Sequence, residues 1–131
     1  MKALRLTFLM CLVSISLQAC STLGEARRAE GDGVKRTYPG SVDATWDATI
    51  RVLSKLNLDV ASENRASGYI LAQRGMTAFS MGENVAIFVR KKTETSSEVE
   101  VVSKKALATN VFAPDWSEDI HKELAARIIA R

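Results

Sequence analysis

Cysteine and histidine are close to missing from this chain of 131 residues, which has two Cys, Cys11 and Cys20, and one His, His121. Both cysteines lie in the first twenty positions, so the remaining chain has no thiol for a disulfide framework or a Cys-based metal site. There are two Pro, so extended proline-rich linkers are excluded. No phosphate loop and no dinucleotide fingerprint occurs. No apolar run approaches the roughly 20 residues that a membrane-crossing helix requires.

What the chain does have begins at its N-terminus. Lys2 and Arg5 precede the apolar run Leu6 to Leu17, the order of a cleaved signal segment and not of a permanent anchor. The run ends in Leu17-Gln18-Ala19-Cys20, which resembles the lipobox of bacterial lipoproteins: Leu three residues before the Cys, a small residue directly before it, then Cys. The resemblance implies cleavage before Cys20, a diacylglycerol on its sulfur and an acyl group on its freed amine. Two or more acyl chains hold a protein stably on a bilayer. Ser21 stands where Asp tends to retain such proteins at the inner membrane, so the resemblance implies the outer membrane, with the domain in the periplasm. Residues 1–19 are thus a signal peptide, and 20–33 read as the lipidated Cys plus a flexible tether of small, charged and Gly residues. Fully extended, that tether would span roughly 40 Å.

Of the 18 Lys and Arg, Lys2 and Arg5 leave with the signal, so 16 remain against 15 Asp and Glu, a net charge of +1. No concentrated basic face results, and nucleic acid is not an expected partner. The 111 residues after Cys20 suffice for one modest core.

Residues 34–131 read as a single α+β domain. Val34 to Tyr38 forms a strand, and Ser41 caps a helix with Val42, Trp46, Ile50, Leu53 and Leu56 along one stripe. Asn57 is a left-handed stop, after which Leu58 folds back on Leu53. Strands follow at Leu58 to Glu63, Tyr69 to Arg74, Glu83 to Lys91 and Glu98 to Lys104, with the Gly-flanked segment 75–82 between the second and third of them. Asp115, with Glu118 three residues on, opens a closing helix in a capping-box pattern. The expected architecture is an antiparallel sheet of four to five strands with two amphipathic helices on one face, in the order β-α-β-β-β-β-α.

This layout is similar to a family of small Gram-negative lipoproteins of unknown function, through the Trp of the first helix, Ser67-Gly68-Tyr69-Ile70, Gly82-Glu83-Asn84-Val85-Ala86-Ile87 and the closing helix. More distantly it resembles the helix-grip domains of the C lipoprotein of the outer-membrane barrel assembly machinery. Neither resemblance implies a catalytic motif or a cofactor.

The residues point away from an enzyme. His121 flanks the apolar stripe of the closing helix and reads as solvated or edge-packed. Ser117 and Glu118 are triad partners on paper only. Met76 and Met81 with His121 could be imagined as a soft metal site, but Met in such a segment is more often packing; no metal and no cofactor is expected. Trp46 and Trp116 read as core anchors, and Glu98 and Glu100 as solubilising groups on an outer face. The unusual feature is the second face of the sheet. Strand alternation puts Tyr69, Leu71, Ala86, Phe88 and Val102 together, opposite Ile70, Val85, Ile87 and Val101, where a wet face should be polar. Tyr69, Leu71 and Phe88 are therefore the candidate docking residues for another envelope protein. A small-ligand or lipid carrier with a cavity between helices and sheet is the alternative.

Overall fold

The computed structural model describes residues 22–75, 82–105 and 114–130. The segments holding Cys20, Met76, Met81 and Arg131 lie outside them. Element order is α1 (Leu23–Arg28), β1 (Val34–Pro39), α2 (Val42–Lys55), β2 (Asp59–Asn64), β3 (Tyr69–Arg74), β4 (Glu83–Lys91), β5 (Ser96–Lys105) and α3 (Trp116–Ile129). The strands form one five-stranded antiparallel sheet in the order β1-β5-β4-β3-β2. The chain's first strand thus lies beside its last, with Val34 opposite Val101 and Tyr38 opposite Ser97.

Local chemistry explains where the long helices start and stop. Ser41 accepts the Ala44 amide at 3.2 Å, and Asp43 sits in the first turn of α2, at the positive end of its dipole. At the other end, Asn57 adopts a φ of 56°. That left-handed residue lets the Leu58 amide reach the Leu53 carbonyl at 2.9 Å and the Asn57 amide reach Ser54 at 3.2 Å, the paired bonds of a Schellman stop. Asp115 caps α3 through the Ser117 amide at 2.9 Å. The expected reciprocal bond from Glu118 is absent, because that carboxylate reaches across to Arg36 of β1 at 2.7 Å.

The two long helices cover one face of the sheet. Trp46, Val52 and Leu53 of α2 and Trp116, Ile120 and Leu124 of α3 meet Ile70, Ala72, Val85, Ile87, Val89, Val99 and Val101. Both tryptophans are core anchors, 1% and 5% exposed. This cluster is the larger of the two hydrophobic cores among the described residues.

The other face carries the correction. Residues 23–28, expected to be tether, form a helical turn and a half. Thr22 accepts from the Glu25 amide while the Glu25 carboxylate accepts from the Thr22 amide, a complete capping box. Leu23, Ala26 and Ala29 recur every three residues and pack on Leu71, Ala86, Phe88, Val102 and Tyr69. The sheet is therefore sandwiched, with α1 opposite α2 and α3. Ala26 is fully buried, Phe88 is 2% exposed and Leu71 8%.

Replacing Leu71 and Phe88 together with Ser is predicted to destabilise the domain by several kcal/mol, on the order of 4, because large-to-small changes in a packed cluster cost about 2–5 kcal/mol each and neighbouring changes do not simply add. Chemical denaturation of the double variant measures this; a loss under about 0.5 kcal/mol, as for surface changes, would show the face to be open.

Candidate functional site

The expected docking residues are brought together, but not as an open surface. Tyr69 pairs with Phe88 across β3 and β4, and Leu71 pairs with Ala86, so the cluster forms as strand alternation dictates. α1 covers it: the Arg27 guanidinium lies over the Tyr69 ring at 4.2 Å, and only Tyr69 keeps a half-buried edge. The apolar second face is explained by a helix of the same chain.

Glu100 holds that helix in place. Its Oε1 accepts the Gly31 amide at 2.6 Å and the Gly33 amide at 2.8 Å, and its Oε2 lies 3.7 Å from Lys35 Nζ. The residue is 6% exposed, so it is a buried clamp and not the solubilising group that alternation suggested. A carboxylate receiving two amides has its charge satisfied by strong, charge-assisted bonds. Gly33 is required here, since a Cβ would sit 2.5 Å from the Val101 carbonyl oxygen. Gly31 has a φ of 105°, a conformation that only glycine adopts freely. Beside the clamp, Glu30 pairs with Arg90 at 2.6 Å.

His121 is fully buried, not solvated. Its Nε2 lies 2.8 Å from the Val34 carbonyl, which can only accept, so Nε2 carries the proton. Nδ1 then accepts from the Tyr38 hydroxyl at 2.7 Å, and that hydroxyl also lies 3.1 Å from the His121 carbonyl. The pair ties α3 to β1. Burial lowers the His121 pKa below its ordinary value, with the Arg36 charge acting in the same direction; burial pushes the Tyr38 hydroxyl up to about 12. The triad drawn on paper does not assemble: Ser117 Oγ donates to the Val101 carbonyl at 3.3 Å and Glu118 pairs with Arg36.

An accessible groove lies on the opposite side of the molecule from α1, between α2 and edge strand β2. Its volume is about 360 Å³, and Asp47, Ile50, Arg51, Val60, Glu63 and Arg65 line it. Arg65 bonds Asp43 at 3.0 Å and Asp47 at 2.7 Å, and Trp46 Nε1 donates to Glu63 at 3.2 Å. Val60, 40% exposed, supplies an apolar wall. All six residues of β2 are exposed, and a bulge between Val60 and Ser62 interrupts its register, the kind of irregularity that discourages edge-to-edge pairing. A shallow, charged, solvent-open groove suits a protein surface better than an enclosed apolar ligand. Among the described residues no group of three His, Cys, Asp or Glu side chains is placed to hold a metal ion, and no helix is long and apolar enough to cross a membrane.

No protein-family model matches the chain, and comparison with curated proteins gives no match. Among solved structures the chain is similar to the crystal structure of the adenylate sensor from AMP-activated protein kinase in complex with 5-aminoimidazole-4-carboxamide 1-beta-D-ribofuranotide. The identity is 10% and the TM-score 0.47, over 76% of this chain and 96% of that one. A likeness at that level supports no inference about ligand or activity.

The buried neutral imidazole generates a pH prediction. With its folded pKa below the unfolded value of about 6.5, the stabilisation is fully present above that value and is lost as the pH falls through the lowered folded pKa, with a slope of at most about 1.4 kcal/mol per pH unit for one proton. Urea melts from pH 8 down to the carboxylate range should show this slope, and His121→Gln should abolish it; an unchanged slope in the variant would assign it to another group.

Proposed function

We propose that this protein is an outer-membrane lipoprotein, acylated on Cys20, whose non-enzymatic α+β domain binds another envelope protein. The observation that carries the reading is Leu17-Gln18-Ala19-Cys20 behind a short apolar run with Lys2 and Arg5 ahead of it. Its fit to the lipobox of the lipoproteins that the chain resembles supplies the compartment and the anchor, and Ser21 supports the outer membrane. The domain's own features agree with a binding role. The helix-sheet interface is filled by large apolar side chains, which disfavours the carrier alternative, and the potential triad residues are spent on structural contacts.

The partner surface in this proposal moves away from Tyr69, Leu71 and Phe88, which α1 covers. The α2–β2 groove takes their place, with Ile50 and Val60 as an apolar floor and wall, and Arg51, Arg65, Asp47 and Glu63 as a charged rim. Interfaces commonly combine a small apolar centre with such a rim. A photo-crosslinking residue at Arg51 in living cells should trap one dominant envelope protein, while the same residue at Gln73, on the α1 side of the sheet, should not.

Cys20→Ser is predicted to abolish acylation, so that the protein accumulates as uncleaved precursor or is released in soluble form. Mass measurement of the N-terminal peptide, together with membrane fractionation, checks this. An acylated, membrane-held product from the variant would end the lipoprotein reading.

A further inference from the structure

We propose that α1 is a rigid mount which lays the α1 side of the sheet against the lipid headgroups and turns the α2–α3 layer toward the periplasm. The proposal rests on the reading of Cys20 as the acylated residue and adds an orientation to it.

Thr22, the cap of α1, follows Cys20 by two residues, and two residues span at most about 7 Å. A domain of about 100 residues has a radius of gyration near 13 Å. A link so much shorter than the body allows rocking about the anchor but not free tumbling. The roughly 40 Å tether expected of a disordered 21–33 segment would have left the domain free to face any way.

The mount itself is built at several points. Ala26 is buried on the sheet, Glu100 takes the Gly31 and Gly33 amides, Glu30 pairs with Arg90, and Arg27 lies over Tyr69. Because α1 lies on the sheet face opposite α2 and α3, the anchor leaves from that side. Several charges on that side are paired, Lys35 with Glu100, Arg90 with Glu30 and Lys92 with Glu98, and Arg27 lies over Tyr69. In this proposal the surface meets the headgroup layer through its anchor, and the salt dependence tested below separates that from adhesion to anionic lipid.

The test couples the mature chain from Cys20 onward, in which Cys20 is the one thiol, to a maleimide-headgroup lipid in nanodiscs. A gadolinium-chelate lipid in the same discs broadens the NMR signals of amides near the surface. The amides of Gln73, Asn84 and Lys104, which share the α1 side by strand alternation, should be broadened several-fold more than those of Arg51, Ser54 and Lys122 on the exposed faces of α2 and α3. The contrast should persist in high salt, where charge-driven adhesion is screened. Ala26→Arg, which drives a charge into the α1 contact, should erase the contrast while the domain amides keep their folded shifts.

Equal broadening on both sides in the unsubstituted protein would overturn the proposal. So would a contrast that high salt removes, since charge would then set the orientation, or one that survives Ala26→Arg with α1 demonstrably released. Chemical coupling makes these outcomes independent of acylation in cells. Failure of the lipoprotein reading would appear instead as an unmodified Cys20 in the cell-derived protein.

Discussion

One buried carboxylate, that of Glu100, fixes how the chain runs from α1 into β1. Glu100 sits midway along β5, beside edge strand β1, on the face that alternation would leave wet, and binds the amides of Gly31 and Gly33. Leaving such a carboxylate without its donors would cost far more than the net worth of an ordinary hydrogen bond. The chain after α1 must therefore pass over β5 before it enters β1. That passage keeps α1 on Leu71, Ala86, Phe88 and Val102, and it delivers Val34 into register with Val101. The two glycines are part of the same constraint, one for its positive φ and the other because the Val101 carbonyl leaves no room for a Cβ.

The opposite face obeys the ordinary logic of an α+β domain. Two amphipathic helices bury a continuous cluster against β1, β3, β4 and β5, and the Tyr38–His121 pair ties α3 to β1, which lies beside β5. The hydroxyl pair Thr45–Ser97, 2.6 Å apart and buried, does the same between α2 and β5. Buried polar groups of this kind hold elements in register because each is satisfied by one specific partner. Ion pairs across the surface, such as Lys55 with Glu123 at 2.6 Å, contribute little by comparison.

Much of this was legible in the residues. Stripes at Trp46 and Leu53, and at Trp116, Ile120 and Leu124, announce the two long helices, and Asn57 announces the stop. Alternation separates Ile70, Val85 and Ile87 from Leu71, Ala86 and Phe88. What could not be read was what covered the second set. Leu23, Ala26 and Ala29 form a stripe too short and too weakly apolar to stand out, and two of its three residues are alanines that flank charges. Thr22 and Glu25, the two ends of a capping box, were the available signal. The role of Glu100 is hidden for a different reason: alternation reports which face a side chain occupies, not whether a long-range amide waits there. His121 likewise gave no sign of Tyr38, 83 residues away.

Docking of α1 in solution separates a mount from a tether, and amide hydrogen exchange measures it directly. The Gly31 and Gly33 amides, held by the Glu100 carboxylate, should exchange with protection approaching that of the sheet, as should the α1 amide of Ala26. Exchange at all three near the rates of an unstructured peptide, with the sheet still protected, would mean that α1 frays independently of the domain and that residues 22–33 are a tether after all.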